Sequence, residues 1–263
     1  RLVGSEMCIR DSYNIVDRIY IGHIPGIGTQ ALAGIGVAGS LIILISAFSA
    51  IVAGGGAPLA AIALGQGNRT HAGKILGNGF VLLLFFTLLT SGLSYLFMEP
   101  ILLFTGASEQ TLGYATAYLS IYLIGTLFVE VSVGLNTFIN TQGRPGIAML
   151  SIVIGALLNI LLDPLFIFVF DWGVKGAALA TIISQACSAG WVLFFLTSRR
   201  ASLRLEPRYM RLDRKVVGAI LALGASPFIM ASTESLVGFV LNGSLKTFGA
   251  VSYTHLRAHE TLM

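Results

Sequence analysis

Apolar runs separated by short polar or glycine-containing connections organise the chain. A helix needs about 20 consecutive apolar residues to cross a bilayer. Residues 13–22 (YNIVDRIYIG) read as the closing part of a first span, and Ala31–Leu64 as a second, broken by the glycines at 54–56. Gly79–Met98, Leu112–Phe138, Gly146–Phe170 and Gly176–Leu196 follow as spans three to six, and Val216–Phe248 opens a seventh. The pattern predicts an all-α, polytopic membrane protein with the lipid bilayer as its solvent.

The two ends are set aside from that reading. Residues 251–261 (VSYTHLRAHET) can be encoded so that the complementary strand, read in frame, gives RLVGSEMCIRD, which is residues 1–11. Ends that are antisense to each other resemble a sequencing adapter translated on both sides of an insert. Residues 1–12 and 251–263 are therefore expected to be artefactual, and the natural stretch is expected to be a fragment. This removes Cys8, His255 and His259, leaving Cys187, His23 and His71. One thiol and two distant histidines suggest neither a disulfide framework nor a zinc site.

Composition strengthens the membrane reading. The chain is 55% hydrophobic and only 11% charged, against about 25% charged in ordinary soluble domains, and its mean hydropathy is +0.85. The net charge of +4 is concentrated in alternate connections. Arg69 and Lys74 follow the second span, and Arg144 follows the fourth. Arg199, Arg200, Arg204, Arg208, Arg211, Arg214 and Lys215 follow the sixth. Lys175 lies in an opposite connection. The positive-inside rule then places the basic connections in the cytoplasm and the protein in the plasma membrane. Topology explains the basic pI, so no nucleic-acid partner is inferred.

A weak repeat divides the chain. YNIVDRIYIG (13–22) lies over ESLVGFVLNG (234–243), matching at Val16/Val237 and Gly22/Gly243. Six spans separate the copies, which is the arrangement of parallel halves related by an axis along the membrane normal. Residues 13–197 are read as one six-helix lobe with a shortened first span. Residues 198–215 become a basic linker, and residues 216–250 the first span of a second lobe.

Ionisable residues within spans are rare and are functional candidates by default. Asp17 lies five residues before Gly22, about 7 Å below the outer end of its span. Asp163 lies seven residues before Phe170, about 10 Å below that surface, and Thr181 five residues after Gly176, about 7 Å deep. Asn159 and Asp163 are four apart and share a helix face. Pro164 has no N–H and frees the carbonyl of Ile160. This oxygen-rich turn suits a sodium ion or, with a protonated carboxylate, a proton; the alternative is a hydrogen-bonded structural kink. Glu130 falls near the inner end of its span and is read as an interfacial residue. Glu234 lies near mid-membrane on the seventh span, as a substrate contact facing the gap between lobes. Arg18, about 100° around the helix from Asp17, is expected to point elsewhere.

Several stretches together resemble the multidrug and toxin extrusion (MATE) transporters. They are YNIVDRIYIG, ALAGIGVAGSL, GGGAPLAAIALGQGNRTHAGKILGN, NTQGRPGIAM, LLNILLDPLFIF, GVKGAALATIISQ and GASPFIMASTESLVGFVLN. The resemblance covers nearly all of residues 13–250. It implies a twelve-helix antiporter of two lobes, monomeric, exporting small organic and often cationic compounds in exchange for sodium ions or protons. It implies no cofactor beyond the coupling ion. The family's first-lobe cation site falls on Asp17, Asn159, Asp163 and Thr181, the set already selected by depth and spacing. Tyr13, Gln185 and Glu234 are the candidates for the substrate cavity, and a fragment of this length is expected to be inactive alone. The alternative is a lipid or polysaccharide flippase of the same superfamily, whose cavity would carry more cationic side chains. An intramembrane enzyme would need a clustered acidic metal motif or a nucleophile with its base. Neither is visible, so the chain is not read as an enzyme.

Overall fold

The computed structural model describes residues 15–245, so Tyr13, both adapter-like ends and the last expected residues of the seventh span lie outside it. A short helix α1 (15–22) precedes α2 (Gly28–Ile51), which continues through a π-helical turn (Val52–Gly56) into α3 (Ala57–Gly65). Next come α4 (Arg69–Leu96), α5 (Met98–Phe104) and α6 (Glu109–Thr141). Helix α7 (Pro145–Pro164) runs on through a second π-helical turn (Leu165–Val169), followed by α8 (Gly173–Thr197) and α9 (Arg214–Leu245). Among the described residues, six helical segments are long and apolar enough to cross a membrane.

The described helices form one bundle with α6 at its centre, packed against α8, α2, α4 and α7, while α9 lies along α2. The outward faces are apolar. On α7, Leu157 and Leu161 are exposed whereas Asn159 and Asp163 are buried, the inversion expected when the solvent is lipid. Local signals set the turns. Asn68 caps α4 by accepting from the backbone N–H of His71 at 3.0 Å. Gly143 takes a φ of +72° just after α6, and Pro145 opens α7.

Two expectations change, and the linker gains a seat. The glycines at 54–56 do not break the second span: Gly28–Gly65 is a continuous rod of 38 residues. They widen one turn and let neighbours approach. A Cβ on Gly54 would meet the Pro227 ring, one on Gly55 the backbone of Ile220, and one on Gly56 the ring of Phe138. The third span starts at Arg69 rather than Gly79, because the Asn68 cap carries the helix through a polar first turn. The basic stretch after α8 is packed on the bundle. Leu203 and Leu205 are buried, and the N–H of Leu203 donates to Gln142 Oε1 at 3.0 Å.

Asn78 of α4 completes that attachment. Its amide N–H groups donate to the carbonyls of Lys74 (2.8 Å), Tyr209 (3.2 Å) and Arg211 (3.2 Å). Its oxygen accepts from the N–H of Asp213 at 2.7 Å. Gly77 and Gly73 make room for Tyr209, against which a Cβ at either position would collide.

Candidate functional site

Small residues bring α6, α7 and α8 close enough for their polar groups to meet. On α7, Gly155 faces Ser188 of α8, whose hydroxyl donates to the Ser151 carbonyl at 2.7 Å. Gly125 of α6 leaves space for Ile182 of α8. Gly176, near the start of α8, sits against the Phe166 backbone, where an added Cβ would lie 2.6 Å from the carbonyl oxygen. That oxygen also accepts from the N–H of Trp172 at 3.1 Å, which fastens the corner after Asp163. Pro164 ends the α-helical ladder, and the chain answers with the wider turn in which the N–H of Phe170 donates to Leu165 at 3.0 Å.

Asn159, Asp163 and Thr181 meet in this seam. The Asn159 amide donates to Asp163 Oδ1 at 3.1 Å and approaches the Thr181 hydroxyl oxygen at 3.5 Å. Thr181 turns its own proton to the Ala177 carbonyl, 3.1 Å away, leaving its oxygen toward the seam. Asp17 of α1 faces the same place, close enough for its charge and that of Asp163 to act on each other. Asn159 and Asp163 are essentially inaccessible, and Asp17 is 9% exposed. The structure therefore brings together all four residues of the expected cation site.

Asp17 Oδ1, Asn159 Oδ1 and Asp163 Oδ2 are each buried without a hydrogen-bond partner. Buried polar atoms are normally paired, because an unpaired one forfeits its hydration. Two carboxylates, an amide oxygen and a hydroxyl supply hard oxygen donors, which fit a sodium ion as well as a proton shared between acids. Arg18, the next residue along α1, is half-buried, and its charge is felt at Asp17.

Tyr118 is the residue that sequence reasoning missed. It is buried on α6, its hydroxyl interacts with the Thr181 side chain, and its phenol lies within the electrostatic reach of Asp17 and Asp163. Its ring stacks on Tyr122, with centroids 5.9 Å apart. The available signal was depth: Tyr118 lies nine residues into α6, about 14 Å from its end. Of the cavity candidates, Gln185 is buried on α8 one turn from Thr181, whereas Glu234 is exposed on α9. Glu130, expected near the inner end of its span, is buried within the bundle at 2% exposure. Sequence position alone could not show that α2 covers it.

Comparison with known proteins bears on the fold and the family. The MatE family model matches residues 3–165. Multidrug export protein MepA of Staphylococcus haemolyticus is 25% identical over 248 residues, covering 94% of this chain and 54% of that protein. The MepA of Staphylococcus saprophyticus is 31% identical over 151 residues, covering 57% and 34%. Among solved structures, the MATE multidrug transporter DinF-BH, solved as a complex, aligns with a TM-score of 0.88 at 31% identity. That alignment covers 96% of this chain and 57% of that one. An inward-facing multidrug resistance MATE family transporter of the MOP superfamily shares the fold, with a TM-score of 0.86 at 24% identity over 93% and 55% of the two chains. The chain spans about half the length of these transporters or less. With more than half of its residues inside the family match, from the first helix through the turn at Asp163, this chain belongs to the MATE family, whose members are membrane transporters rather than enzymes.

Proposed function

We propose that the whole transporter containing this chain exports organic, often cationic, drugs or toxins in exchange for sodium ions or protons. Asp17, Asn159, Asp163 and Thr181 hold the coupling ion, with the Tyr118 phenol beside them. The observation that carries this reading is the set of buried, unpaired oxygens on Asp17, Asn159 and Asp163, with Asn159 bonded to Asp163 and the two acids within each other's electrostatic reach. Two buried acids repel when ionised, and a cation or proton between them relieves both the repulsion and the lost hydration. Ion entry therefore favours close approach of α1 to α7, and ion release loosens it. An ion shifts such an equilibrium only by its difference in affinity for the two arrangements. Tyr13, Gln185 and Glu234 contact the substrate, and the basic connections face the cytoplasm from the plasma membrane.

The test uses the full-length transporter in lipid vesicles, with sodium and pH gradients imposed separately while ethidium efflux is followed. One of the two gradients drives wild-type efflux. D163N inserts normally and loses that efflux under either gradient. Undiminished ion-driven efflux by D163N would sink the assignment of Asp163 to coupling.

A further inference from the structure

One buried acid has no part in the cluster described above. Glu130 of α6 is 2% exposed, with its side chain turned to α2. The Ser46 hydroxyl donates to Glu130 Oε1 at 2.7 Å, and the Ser49 side chain interacts with the same carboxyl group. Ser49 itself donates to the Ser46 carbonyl at 2.9 Å. Glu130 Oε2 is buried and has no partner. Gly134, one turn further along α6, closes the seat: a Cβ there would collide with Leu83 and lie 3.8 Å from the Ser49 Cβ.

Glu130 also ends a line of buried polar side chains. Tyr118, Tyr122, Thr126 and Glu130 follow at intervals of four, which is one i±4n ridge on the surface of a helix. All four are buried, Thr126 completely. Thr126 donates to the Tyr122 carbonyl at 3.0 Å. The ridge runs from the Asp17–Asp163 cluster to Ser46 and Ser49 over twelve residues, about 18 Å.

We propose that Glu130, seated on Ser46 and Ser49, is a second proton-carrying site of this lobe, distinct from the Asp17–Asp163 cluster and joined to it by the ridge of α6. The donor set selects the proton. A hard metal cation gathers about six or more oxygens. This seat offers four side-chain oxygens, two from Glu130 and one each from Ser46 and Ser49, with a single acid among them, whereas the Asp17–Asp163 cluster offers six with two acids. Charge points the same way. Helices α2 and α3 contain no ionisable side chain, and Arg69, His71 and Lys74 of α4 lie in its first turns at the basic end. Asp163 of α7 lies at the other end of the ridge, Lys175 of α8 lies in that helix's first turn, and Cys187 is exposed on α8. Of the described residues, the groups acting on Glu130 are the hydroxyls of Ser46 and Ser49. A carboxylate so placed has no cation to replace its hydration, and a proton on Oε2 removes the need for one. The step is a proton transfer alone. When the seat opens, the Oε2–H bond breaks, its electron pair stays on the carboxylate and water accepts the proton. This holds whichever ion the Asp17–Asp163 cluster takes.

The test is an infrared pH titration of the full-length transporter in lipid, following the carbonyl stretch of protonated carboxylic acids. A band absent from E130Q and retained in D163N should be present at acid pH and disappear as the pH is raised. Sodium chloride should leave it unchanged. S46A keeps the acid but removes the donor on Oε1, so the band should move to higher frequency; this also assigns the band if E130Q fails to fold. The proposal is overturned by the absence of a Glu130 band at every pH, or by a band of constant height, which marks a permanently protonated structural acid. Loss of the band on adding sodium, or an unmoved band in S46A, overturns it equally. Normal titration at Glu130 with undiminished efflux by D163N would leave this site standing while removing the proposed coupling role of Asp163.

Discussion

Two buried asparagines in this molecule are used in opposite ways. Asn78, near the basic end of α4, has its N–H groups and its oxygen engaged with the backbone of four residues. Asn159, near the opposite end of α7, donates to Asp163 and Thr181 but keeps its oxygen unpaired beside the unpaired oxygens of two acids. A satisfied amide stabilises one arrangement and resists change. An unsatisfied cluster leaves stabilisation to be supplied by whatever binds there, so its free energy follows the ligand. The same residue type thus serves as a staple in one region and as part of a site in the other.

The sharpest way to break this contrast is to exchange the expected phenotypes. D163N should abolish ion-driven export by the full-length transporter while its thermal unfolding in detergent stays close to wild type. N78A should do the reverse. It leaves the carbonyls of Tyr209 and Arg211 and the N–H of Asp213 without partners and is expected to lower stability by about 2–4 kcal/mol, with export per folded molecule retained. A D163N protein that fails to fold, or an N78A protein as stable as wild type, would dissolve the distinction between site and staple.

Smaller effects refine it. G55A forces a methyl group against the Ile220 backbone where α9 crosses the π-helical turn. It should cost about 1–3 kcal/mol in thermal unfolding, with no change in ion dependence. Y118F keeps the ring on Tyr122 but loses the hydroxyl facing Thr181. It should weaken the ion that drives export by about 1 kcal/mol, somewhat less than tenfold in the half-saturating concentration. An unchanged ion dependence in Y118F would place Tyr118 outside the site.

Much of the candidate site was legible before any coordinates. Asp17, Asn159, Asp163 and Thr181 stood out because oxygen-bearing side chains are conspicuous in apolar runs and rise per residue fixes their depth. Tyr118 did not stand out, because an aromatic residue in an apolar helix is unremarkable until its hydroxyl is seen to face Thr181. Glu130 was visible as an acid, but its surroundings were not, since depth along one helix says nothing about which helix covers it. The glycines at 54–56 read as a break because glycine is a poor helix former. In the bundle, their missing side chains are what admit Pro227, Ile220 and Phe138.

The sequence by itself determined that this chain spans a membrane as helices and where most of those helices run. Lipid offers the backbone no hydrogen-bond partner, so each long apolar run must satisfy its own N–H and C=O groups. It also determined which polar residues are exceptional, because few are tolerated at that depth. Only the tertiary structure decided which helices face one another. That choice rests on glycines and serines whose effect is closeness, a property with no periodic signature in one sequence. It decided that Asn159 meets Thr181, that Glu130 meets Ser46, and that the basic linker after α8 is bound to the bundle by Asn78 and Gln142.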